Sequence, residues 1–367
     1  MVVGTRPEAI KLKPVAEALS KQGLAPAIIL TGQHPLAPEE WGLNRTPVLH
    51  LGCPGEEDPD SHVRKVTAAL VPWLGDPPPL LVVQGDTSSA LGAALAGFMA
   101  GVPVAHVEAG LRTHDPSQPW PEEGYRIAVD AQADLLFAPT DHAAKNIARE
   151  GAPGEIHVTG NTGIDALLAR VAMLPMPRPK DRSLSKILVT CHRRESWGDG
   201  LTEIASALVT LASDPKVHID FVLHPNPNVA NRMADLLDRR SNIVLRKPCS
   251  HAALIGLMRE ADIILSDSGG IQEEAPALGV PLLVLRDKTE RPEGLETGNM
   301  RLVGTAAENI LSETRLLLSD PATLAAMAKP AFPYGDGHAA PRIAAVIAQW
   351  LAKRSELTQR PATGRSA

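Results

Sequence analysis

Short apolar runs alternate with amphipathic, Ala- and Leu-rich stretches along nearly the whole chain. Such runs, bounded by polar turns, are typical of buried parallel strands. They predict strands at residues 27–30, 80–83, 103–107, 135–138, 156–159, 186–190, 218–223, 242–245, 262–265 and 281–285. Helical periodicity between them predicts helices that include residues 9–21, 88–100, 125–132 and 201–212. Strict alternation of strand and helix predicts an α/β fold of parallel sheets with helices on both faces.

The chain has 367 residues, which is longer than one typical domain, so two domains are expected. A proline-rich, charged segment interrupts the alternation and predicts a linker at residues 174–185. The first domain then covers residues 1–173 and the second covers residues 186–330. The polar segment 353–367 is expected to be disordered.

One predicted strand leads into a turn that is suited to phosphate. The apolar run at 263–265 ends in Ser-Asp-Ser-Gly-Gly and opens directly onto a helix. With Ser268 as N-cap, the first helical N–H groups attract an anion, and Gly269 and Gly270 allow close approach. Glu274 lies about 9 Å further along the helix and can reach ribose hydroxyls. A nucleoside diphosphate fits this turn, and an ordinary strand–helix connection is the alternative.

Carboxylates follow the strands of the first half. In an open parallel sheet, ligands bind beyond the carboxyl ends of the strands. Asp86 and Glu108 follow neighbouring predicted strands, while Glu122 and Glu123 begin a helix after Pro121. Helix capping is the alternative for all of these acids except Glu108, which has no helix start to serve. The sequence therefore predicts a ligand site at this edge, with Glu108 as its firmest candidate.

Cations and histidines follow strands of both halves: Arg6, Lys11, His192, Arg193, Arg194 and His224. Guanidinium groups suit phosphate oxygens, and a pair of them can stabilise a leaving diphosphate. His192 suits a general acid or a hydrogen-bond donor to phosphate, with a structural histidine as the alternative. His224 has the same two interpretations, and for Lys11 the alternative is a solvated helix face.

Composition and charge exclude several classes of protein. The net charge of −6 and the pI near 6.1 argue against a general nucleic-acid surface. No segment approaches the ~20 apolar residues of a membrane span, and the N-terminus lacks a signal-peptide pattern. The three cysteines are widely spaced and form no disulfide framework. We therefore expect a cytoplasmic protein with no nucleic-acid and no membrane partner.

Cofactor motifs are absent from the sequence. No GxGxxG follows a strand, and neither a Walker lysine pattern nor a GxSxG elbow occurs. No cluster of His, Asp and Glu has metal-ligand spacing. Asp58-Pro59-Asp60 is a formal DxD match, but its Pro-, Gly- and acid-rich surroundings predict a solvated loop. We expect no metal and no tightly bound cofactor.

Longer motifs resemble those of the non-hydrolysing UDP-N-acetylglucosamine 2-epimerases, in family order: GTRPEAIKLKPV (4–15), GDTSSAL (85–91), HVEAGLRTHD (106–115), PWPEE (119–123), TGNTGIDAL (159–167), HRRESWGDG (192–200), DSGGIQEEAPALGVPLLVLRDKTERPE (267–293) and RLVGT (301–305). PYGDGHAAPRI (333–343) resembles the C-terminal signature of that family. The resemblance covers residues 4 to about 350. It implies a GT-B architecture, in which two Rossmann-like domains face an interdomain cleft and a C-terminal helix at 331–352 crosses back to the first domain.

The resemblance also implies a reaction, which is reversible interconversion of UDP-GlcNAc and UDP-ManNAc by elimination and re-addition of UDP. The implied catalytic residues are Asp86, Glu108, Glu122 and His192. The implied UDP-binding residues are Arg6, Lys11, Arg193, His224, Ser268, Gly269, Gly270, Glu274 and Arg291. Which carboxylate takes the C2 proton stays open. The family implies a UDP-sugar substrate, no cofactor, and a homodimer.

Two departures from the family pattern bear on specificity. The segment 35–41 carries Pro35 and Pro38 where bacterial relatives begin a helix that helps build a regulatory substrate site, so activation by substrate is in doubt. Gly124-Tyr125-Arg126 replaces the usual Ala-Asn-Arg, which puts sugar-facing contacts in doubt. The alternatives are a 2-epimerase of another UDP-2-acetamido sugar such as a UDP-diacetamido uronic acid, a hydrolysing 2-epimerase, a GT-B glycosyltransferase and a non-catalytic UDP-sugar sensor.

Overall fold

A computed structural model describes residues 1–37, 46–75, 79–176, 183–191, 198–237 and 240–359, with only the backbone at 357–359. The chain forms two compact units. Unit 1 comprises Met1–Ala166 together with the chain from Gly335 onward, and unit 2 comprises Leu167–Tyr334. In the described parts, no helix is both long and apolar enough to cross a membrane.

Unit 1 contains parallel strands in the orders β1-β2-β3 and β4-β5-β6-β7, and β1 contacts β4. Its strands are β1 (Val2–Val3), β2 (Ile28–Leu30), β3 (Val48–His50), β4 (Leu81–Gln84), β5 (Val104–Val107), β6 (Leu135–Ala138) and β7 (Glu155–Val158). Its helices are α1 (Arg6–Lys21), α2 (Pro59–Leu70), α3 (Ser88–Ala100), α4 (Glu122–Asp130), α5 (Asp141–Glu150) and α14 (Ala339–Gln359), and a 3-10 turn follows α2 at Val71–Leu74. The helix α6 (Thr162–Met173) contains the division from unit 2.

Unit 2 is built on one six-stranded parallel sheet in the order β10-β9-β8-β11-β12-β13. Its strands are β8 (Ser185–Thr190), β9 (Val217–Val222), β10 (Ile243–Arg246), β11 (Ile263–Ser266), β12 (Leu282–Val284) and β13 (Met300–Leu302). Its helices are α7 (Asp199–Leu211), α8 (Pro227–Leu237), α9 (His251–Glu260), α10 (Gly269–Leu278), α11 (Glu293–Glu296), α12 (Ala307–Ser319) and α13 (Pro321–Met327). β8 lies at the centre because the chain reverses its direction across the sheet there, which is the doubly wound arrangement.

Aliphatic side chains fill the core on both faces of the sheets. In unit 1, one cluster packs α2, α3 and α4 on the sheet, and the other packs α1 and α14 on it. The mid-part of α14 contributes Ile343 and Ile347, so the C-terminal helix completes the core of unit 1. Aromatics are only 3% of the chain, and small side chains such as those of α3 allow helices to lie close to the strands.

Several local features differ from the sequence predictions. The strands β3 and β13 have three residues each, which is too short for a recognisable apolar run.

Asp58 and Asp60 are exposed to solvent as predicted, but the predicted loop is the start of a helix. Asp58 is the N-cap of α2 and accepts hydrogen bonds from the backbone N–H groups of Asp60 and Ser61. Proline at the first helical position suits such a start.

The ends of the two units differ from the domain ends that the sequence predicts. Helix α14 continues to Gln359 and so includes 353–359, which the polar composition had assigned to a disordered tail. The division between units falls inside α6, between Ala166 and Leu167, rather than at the predicted linker 174–185. Of that linker, residues 177–182 lie outside the described part of the chain.

Gly110 offers a test of how tightly the loop after β5 packs. Its φ is +84°, and a Cβ there would lie 2.8 Å from the Ala143 carbonyl carbon. Gly110→Ala should therefore cost about 2–4 kcal/mol of unfolding free energy through strain and overpacking. Gly124→Ala is the control, because its Cβ would meet nothing within 4 Å and alanine favours helix α4. Equal denaturant midpoints for the two variants would contradict the packing described here.

Glu8 offers a test by pH. Its carboxylate accepts hydrogen bonds from Gly4 N, Thr5 N and Thr87 Oγ1, and burial outweighs them to raise the pKa to about 7. Since the pKa in the folded protein exceeds the ordinary value of 4.5, Glu8 favours folding most below pH 4.5 and loses that contribution as pH rises through about 7. Glu8→Gln should flatten the pH dependence of thermal unfolding across this window. An unchanged slope in the variant would show that Glu8 does not titrate there.

Candidate active site

The turn after β4 places Asp86 beside a buried arginine. Asp86 Oδ2 lies 2.5 Å from Arg126 Nη2 of α4. Helix α3 is capped by Thr87, whose hydroxyl accepts from Ala90 N at 3.0 Å, so Asp86 is not the cap. Its carboxylate lies at the edge of unit 1 where the strands end, partly exposed and paired with a cation, as a ligand-facing acid requires.

Glu108, directly after β5, is the most constrained acid at this edge. Its φ is +71°, a conformation that non-glycine residues rarely adopt, and its side chain is buried. Glu108 Oε2 accepts from Lys11 Nζ at 2.6 Å and from Gln84 Nε2 at 2.5 Å. Such strain concentrates at functional sites, where the surroundings hold it in place. The structure thus supports the sequence-based preference for Glu108.

Lys11 is buried on α1 and does not lie on a solvated helix face, so that alternative is wrong. Its ammonium pairs with Glu108 across 97 residues of sequence. Arg6 is the first residue of the same helix. At the N-terminus of α1, the backbone N–H groups of Gly4 and Thr5 are already bonded to the carboxylate of Glu8. An anion at this helix start would therefore rely on Arg6 more than on those two N–H groups.

The two acids at the start of α4 have different surroundings. Glu123 is buried and accepts from Thr113 N and His114 N, both at 2.9 Å, while it also pairs with Arg126 at 3.0 Å. These bonds give Glu123 a structural role, but it holds the loop at Thr113 and His114 and does not cap α4. Glu122, the first residue of α4, is half-buried and lies one turn before Arg126, the partner of Asp86.

Tyr125, which departs from the family pattern, makes a contact within unit 1. Its ring is buried in the core of unit 1, and its hydroxyl donates to Asp60 Oδ1 at 2.6 Å. Burial and the neighbouring Asp60 raise the pKa of this phenol. Tyr125 therefore links α4 to the start of α2, and Asp60 of the DxD match serves that link.

In unit 2, the start of α10 combines an open backbone with a buried arginine. Ser268 is the N-cap residue of α10, as predicted, although its side chain makes no capping hydrogen bond. Gly269 lies against Arg291, since a Cβ there would be 2.8 Å from Nη1, whereas Gly270 faces open space apart from the Ser268 hydroxyl. The glycines therefore serve two purposes, with one admitting a guanidinium and the other leaving the helix end accessible.

Arg291 is held by acidic neighbours. Its Nε donates to Glu273 Oε1 at 2.7 Å, and its Nη1 bonds Glu290. Arg286 pairs with the same Glu290 at 2.9 Å. The resemblance places Arg291 among UDP-binding residues, and the structure shows it in buried ion pairs behind the α10 helix start. The two guanidinium groups and the two carboxylates of this cluster balance in charge, and their ion pairs hold Arg291 in place against Gly269.

Glu274, the expected ribose contact, is buried on α10 and pairs with a residue that sequence analysis missed. His251 Nε2 lies 2.7 Å from Glu274 Oε1. His251 follows no predicted strand directly, and no spacing in the sequence links it to Glu274. The imidazole of His251 holds one carboxylate oxygen of Glu274, and this contact also fixes the orientation of the whole carboxylate group. His224 also has a fixed ring, because its Nδ1 accepts from Asn226 N at 2.9 Å.

Some predicted site residues lie outside the described residues, namely His192, Arg193 and Arg194, together with residues 38–41 of the departing segment 35–41. Among the residues that the structure describes, no group of three or more His, Cys, Asp and Glu side chains is placed to hold a metal ion. The sequence also gave little signal for Gln84 and His106, which interrupt or end otherwise apolar strands. Both prove to be hydrogen-bonded beside the candidate acids.

The chain is similar to known proteins over almost its full length. Residues 17–348 match the family described as UDP-N-acetylglucosamine 2-epimerase. Enzymes of that name from Yersinia pestis and Escherichia coli K12 are 41% and 40% identical to it, each over 93% of this chain and 96% of the relative.

Solved structures agree. The Neisseria meningitidis UDP-GlcNAc 2-epimerase bound to UDP-GlcNAc has a TM-score of 0.90 at 36% identity, covering 95% of this chain and 98% of that one. The Methanocaldococcus jannaschii enzyme, solved with UDP-GlcNAc and UDP, gives 0.83 at 32% identity, covering 95% and 98%. A sucrose-phosphate synthase from Thermosynechococcus elongatus shares the fold alone, at 14% identity and a TM-score of 0.57, covering 94% of this chain and 91% of that one.

These similarities confirm the GT-B fold class of two Rossmann-like parallel-sheet units and the family that the motifs resemble. The sequence match and the structural match both extend over nearly the whole chain and point to the same family. The chain therefore belongs to the UDP-N-acetylglucosamine 2-epimerase family.

Proposed function

We propose that this chain catalyses the reversible, cofactor-free epimerisation of UDP-GlcNAc and UDP-ManNAc at C2. The observation that carries the proposal is the strained, buried Glu108, whose carboxylate is paired with Lys11 and Gln84 at the strand ends of unit 1. A protein that only bound a nucleotide would have no need for such an acid. Family membership supplies the substrate class, because relatives of that name were solved with UDP-GlcNAc.

The chemistry explains why acids and phosphate-binding groups are both required. The C2–H of the sugar has no adjacent carbonyl, so direct deprotonation is very difficult. If the C1–O bond to UDP breaks first, C1 gains oxocarbenium character and the C2 proton becomes acidic. Loss of that proton gives 2-acetamidoglucal and UDP. Return of a proton to the opposite face of C2 and of UDP to C1 completes the reaction, so no net redox change occurs.

The acids of unit 1 are proposed to move the C2 proton. The set is Asp86, Glu108 and Glu122. Two bases on opposite faces of C2 would suffice, and a third acid can orient the ring hydroxyls. Lys11 is proposed to act through Glu108, because the short ion pair keeps that carboxylate charged and in place.

Unit 2 is proposed to hold the UDP. Ser268, Gly269 and Gly270 present the N-terminal end of α10 to the diphosphate, and the Arg291 guanidinium lies against Gly269. Glu274, oriented by His251, is proposed to accept from the ribose hydroxyls. Arg6, His192, Arg193 and His224 complete the proposed set of diphosphate and nucleotide contacts. Stabilising the departing UDP lowers the barrier to the first step.

The proposal includes two further expectations that follow from the family resemblance. The enzyme is proposed to be a homodimer and to act in the cytoplasm, where nucleotide sugars are made. Light scattering coupled to gel filtration would measure the first directly.

Isotope exchange tests the proposed reaction. In heavy water, the purified chain should incorporate deuterium at C2 of UDP-GlcNAc and form UDP-ManNAc, with no added cofactor or metal. Mass spectrometry and proton NMR of recovered sugars measure both. Bound UDP without C2 exchange would refute the proposal. Stoichiometric free ManNAc would instead identify a hydrolysing enzyme, and exchange confined to a UDP-diacetamido uronic acid would reassign the substrate.

Glu108→Gln separates catalysis from binding. An amide cannot accept the C2 proton, so turnover should fall by about 10²–10⁴-fold, while the Kd for UDP, measured by calorimetry, should change little. Glu155→Gln is the matched control, because Glu155 lies exposed on β7 of the same unit. If UDP affinity falls in proportion to turnover, the role of Glu108 is structural rather than catalytic.

A further inference from the structure

His106 lies fully buried on β5, with β4 and β6 as its neighbours in the sheet. Its Nδ1 is 2.6 Å from Asp130 Oδ1, and its Nε2 is 2.8 Å from the carbonyl oxygen of Gly85. Both distances are those of short hydrogen bonds. The two partners are an acid at the end of α4 and the backbone of the turn that carries Asp86.

The protons on His106 can be counted from its partners. A carbonyl oxygen only accepts, so Nε2 must carry a proton. Asp130 Oδ2 accepts from the Arg112 guanidinium at 2.6 Å and from Gly110 N at 3.1 Å, which favours an ionised carboxylate independently of His106. A carboxylate only accepts, so the bond to Asp130 requires a proton on Nδ1 as well. Both acceptors are satisfied together only by the imidazolium form of the ring.

A buried cation needs compensating charge, and the neighbouring groups provide it. Arg112 Nη2 lies 2.6 Å from Asp130 Oδ2 and 2.7 Å from Glu150 Oε2 of α5. The four groups that face one another are His106, Arg112, Asp130 and Glu150, which carry two positive and two negative charges. Their neutral total makes a permanently charged ring at this depth physically acceptable.

The network joins the loops of two proposed catalytic acids. His106 fixes the Gly85 carbonyl, one residue before Asp86, while Gly85 N donates to Val107 O. Asp130 Oδ2 also accepts from Gly110 N at 3.1 Å, two residues after Glu108. The pair of His106 and Asp130 thus holds two backbone segments in unit 1, the turn at Gly85 before Asp86 and the loop at Gly110 after Glu108.

We propose that His106 is a positioning residue with a doubly protonated ring. Its bond to the Gly85 carbonyl places Asp86, and its bond to Asp130, which accepts from Gly110 N, places Glu108. It touches no substrate in this role. Placement matters because a shift of about 1 Å in a reacting group can cost 10²-fold in rate. The inference rests on the proposed epimerase function for its catalytic consequence, whereas the charge state of the ring does not depend on that function.

The charge state is tested on the wild-type enzyme. NMR of the protein labelled with ¹⁵N-histidine, at about pH 7.5 where a free imidazole is mostly neutral, should show one of the 12 histidines with protons on both ring nitrogens. Nuclear Overhauser contact to the Gly85 α-protons assigns it. A ring with a single proton at this position would overturn the proposal, whether or not the enzyme proves to be an epimerase.

The positioning role is tested by two matched variants. The amide of Gln lies where Nε2 of histidine does and can still donate to Gly85, whereas the amide of Asn matches Nδ1 and donates only to Asp130. Both variants lose the ring charge. His106→Asn should lose about 10- to 100-fold more kcat than His106→Gln, with similar KM, similar UDP affinity and similar thermal stability. Equal losses of kcat, or losses that follow thermal stability, would overturn the role.

The wild-type exchange reaction is the reference for these measurements. If wild type shows no C2 exchange, the proposed function fails and the NMR result still decides the charge of His106. If wild type exchanges and both variants are too unstable to purify, the NMR measurement alone decides, since a neutral ring removes the basis of the proposal and an imidazolium supports it.

Discussion

The acids at the strand ends of unit 1 are paired with cations, and most of the candidate site follows from that pairing. A carboxylate that leaves water without a partner has a large desolvation cost, which a cation offsets. Glu108 has Lys11, Asp86 has Arg126, and Asp130 has His106 and Arg112. The partners come from different helices and loops. Pairing therefore fixes where those elements lie, as well as which side chains are charged.

The parallel sheet supplies the geometry in which such pairing is possible. Strands β4 and β5 end side by side, so the residues after Gln84 and Val107 emerge at one edge. Helix α1 starts at the same edge after β1, which brings Lys11 to Glu108. The unusual backbone of Glu108 turns its side chain toward these partners. Strain in one residue is stabilised by two short hydrogen bonds, an arrangement that keeps an acid in a single orientation.

In unit 2, buried charges are also paired, and the candidate ligand-binding group is the N-terminal end of helix α10 in place of a carboxylate. The first turn of α10 presents N–H groups, and Arg291 lies behind it in a cluster with Glu273 and Glu290. Gly269 is required there because the guanidinium occupies the space of a Cβ. His251 performs for Glu274 what Lys11 performs for Glu108, since each cation or donor fixes one oxygen of a buried acid.

Most of the candidate acids could be named from the sequence because strand ends and helix starts are local signals. Asp86, Glu108, Glu122 and the Ser268 turn each follow an apolar run or open a helix, and the resemblance to a family gave them roles. The solvated alternative for Lys11 is wrong, and the contact between Tyr125 and Asp60 was not predicted, for one shared reason. What packs against a side chain on a helix depends on distant parts of the chain. Lys11 and Glu108 are 97 residues apart, and Tyr125 and Asp60 are 65 apart.

The sequence by itself determined the α/β class, the alternation of elements, the candidate acids and the candidate phosphate-binding turn, because periodicity, turn chemistry and motif order depend on neighbouring residues. Only the tertiary structure decided which acids pair with which cations, that His106 bonds an acceptor on each side, and that α14 completes the core of unit 1. Those facts depend on contacts between residues far apart in the chain. Long-range burial and hydrogen bonding set them, and no local pattern specifies the partner of a buried charge.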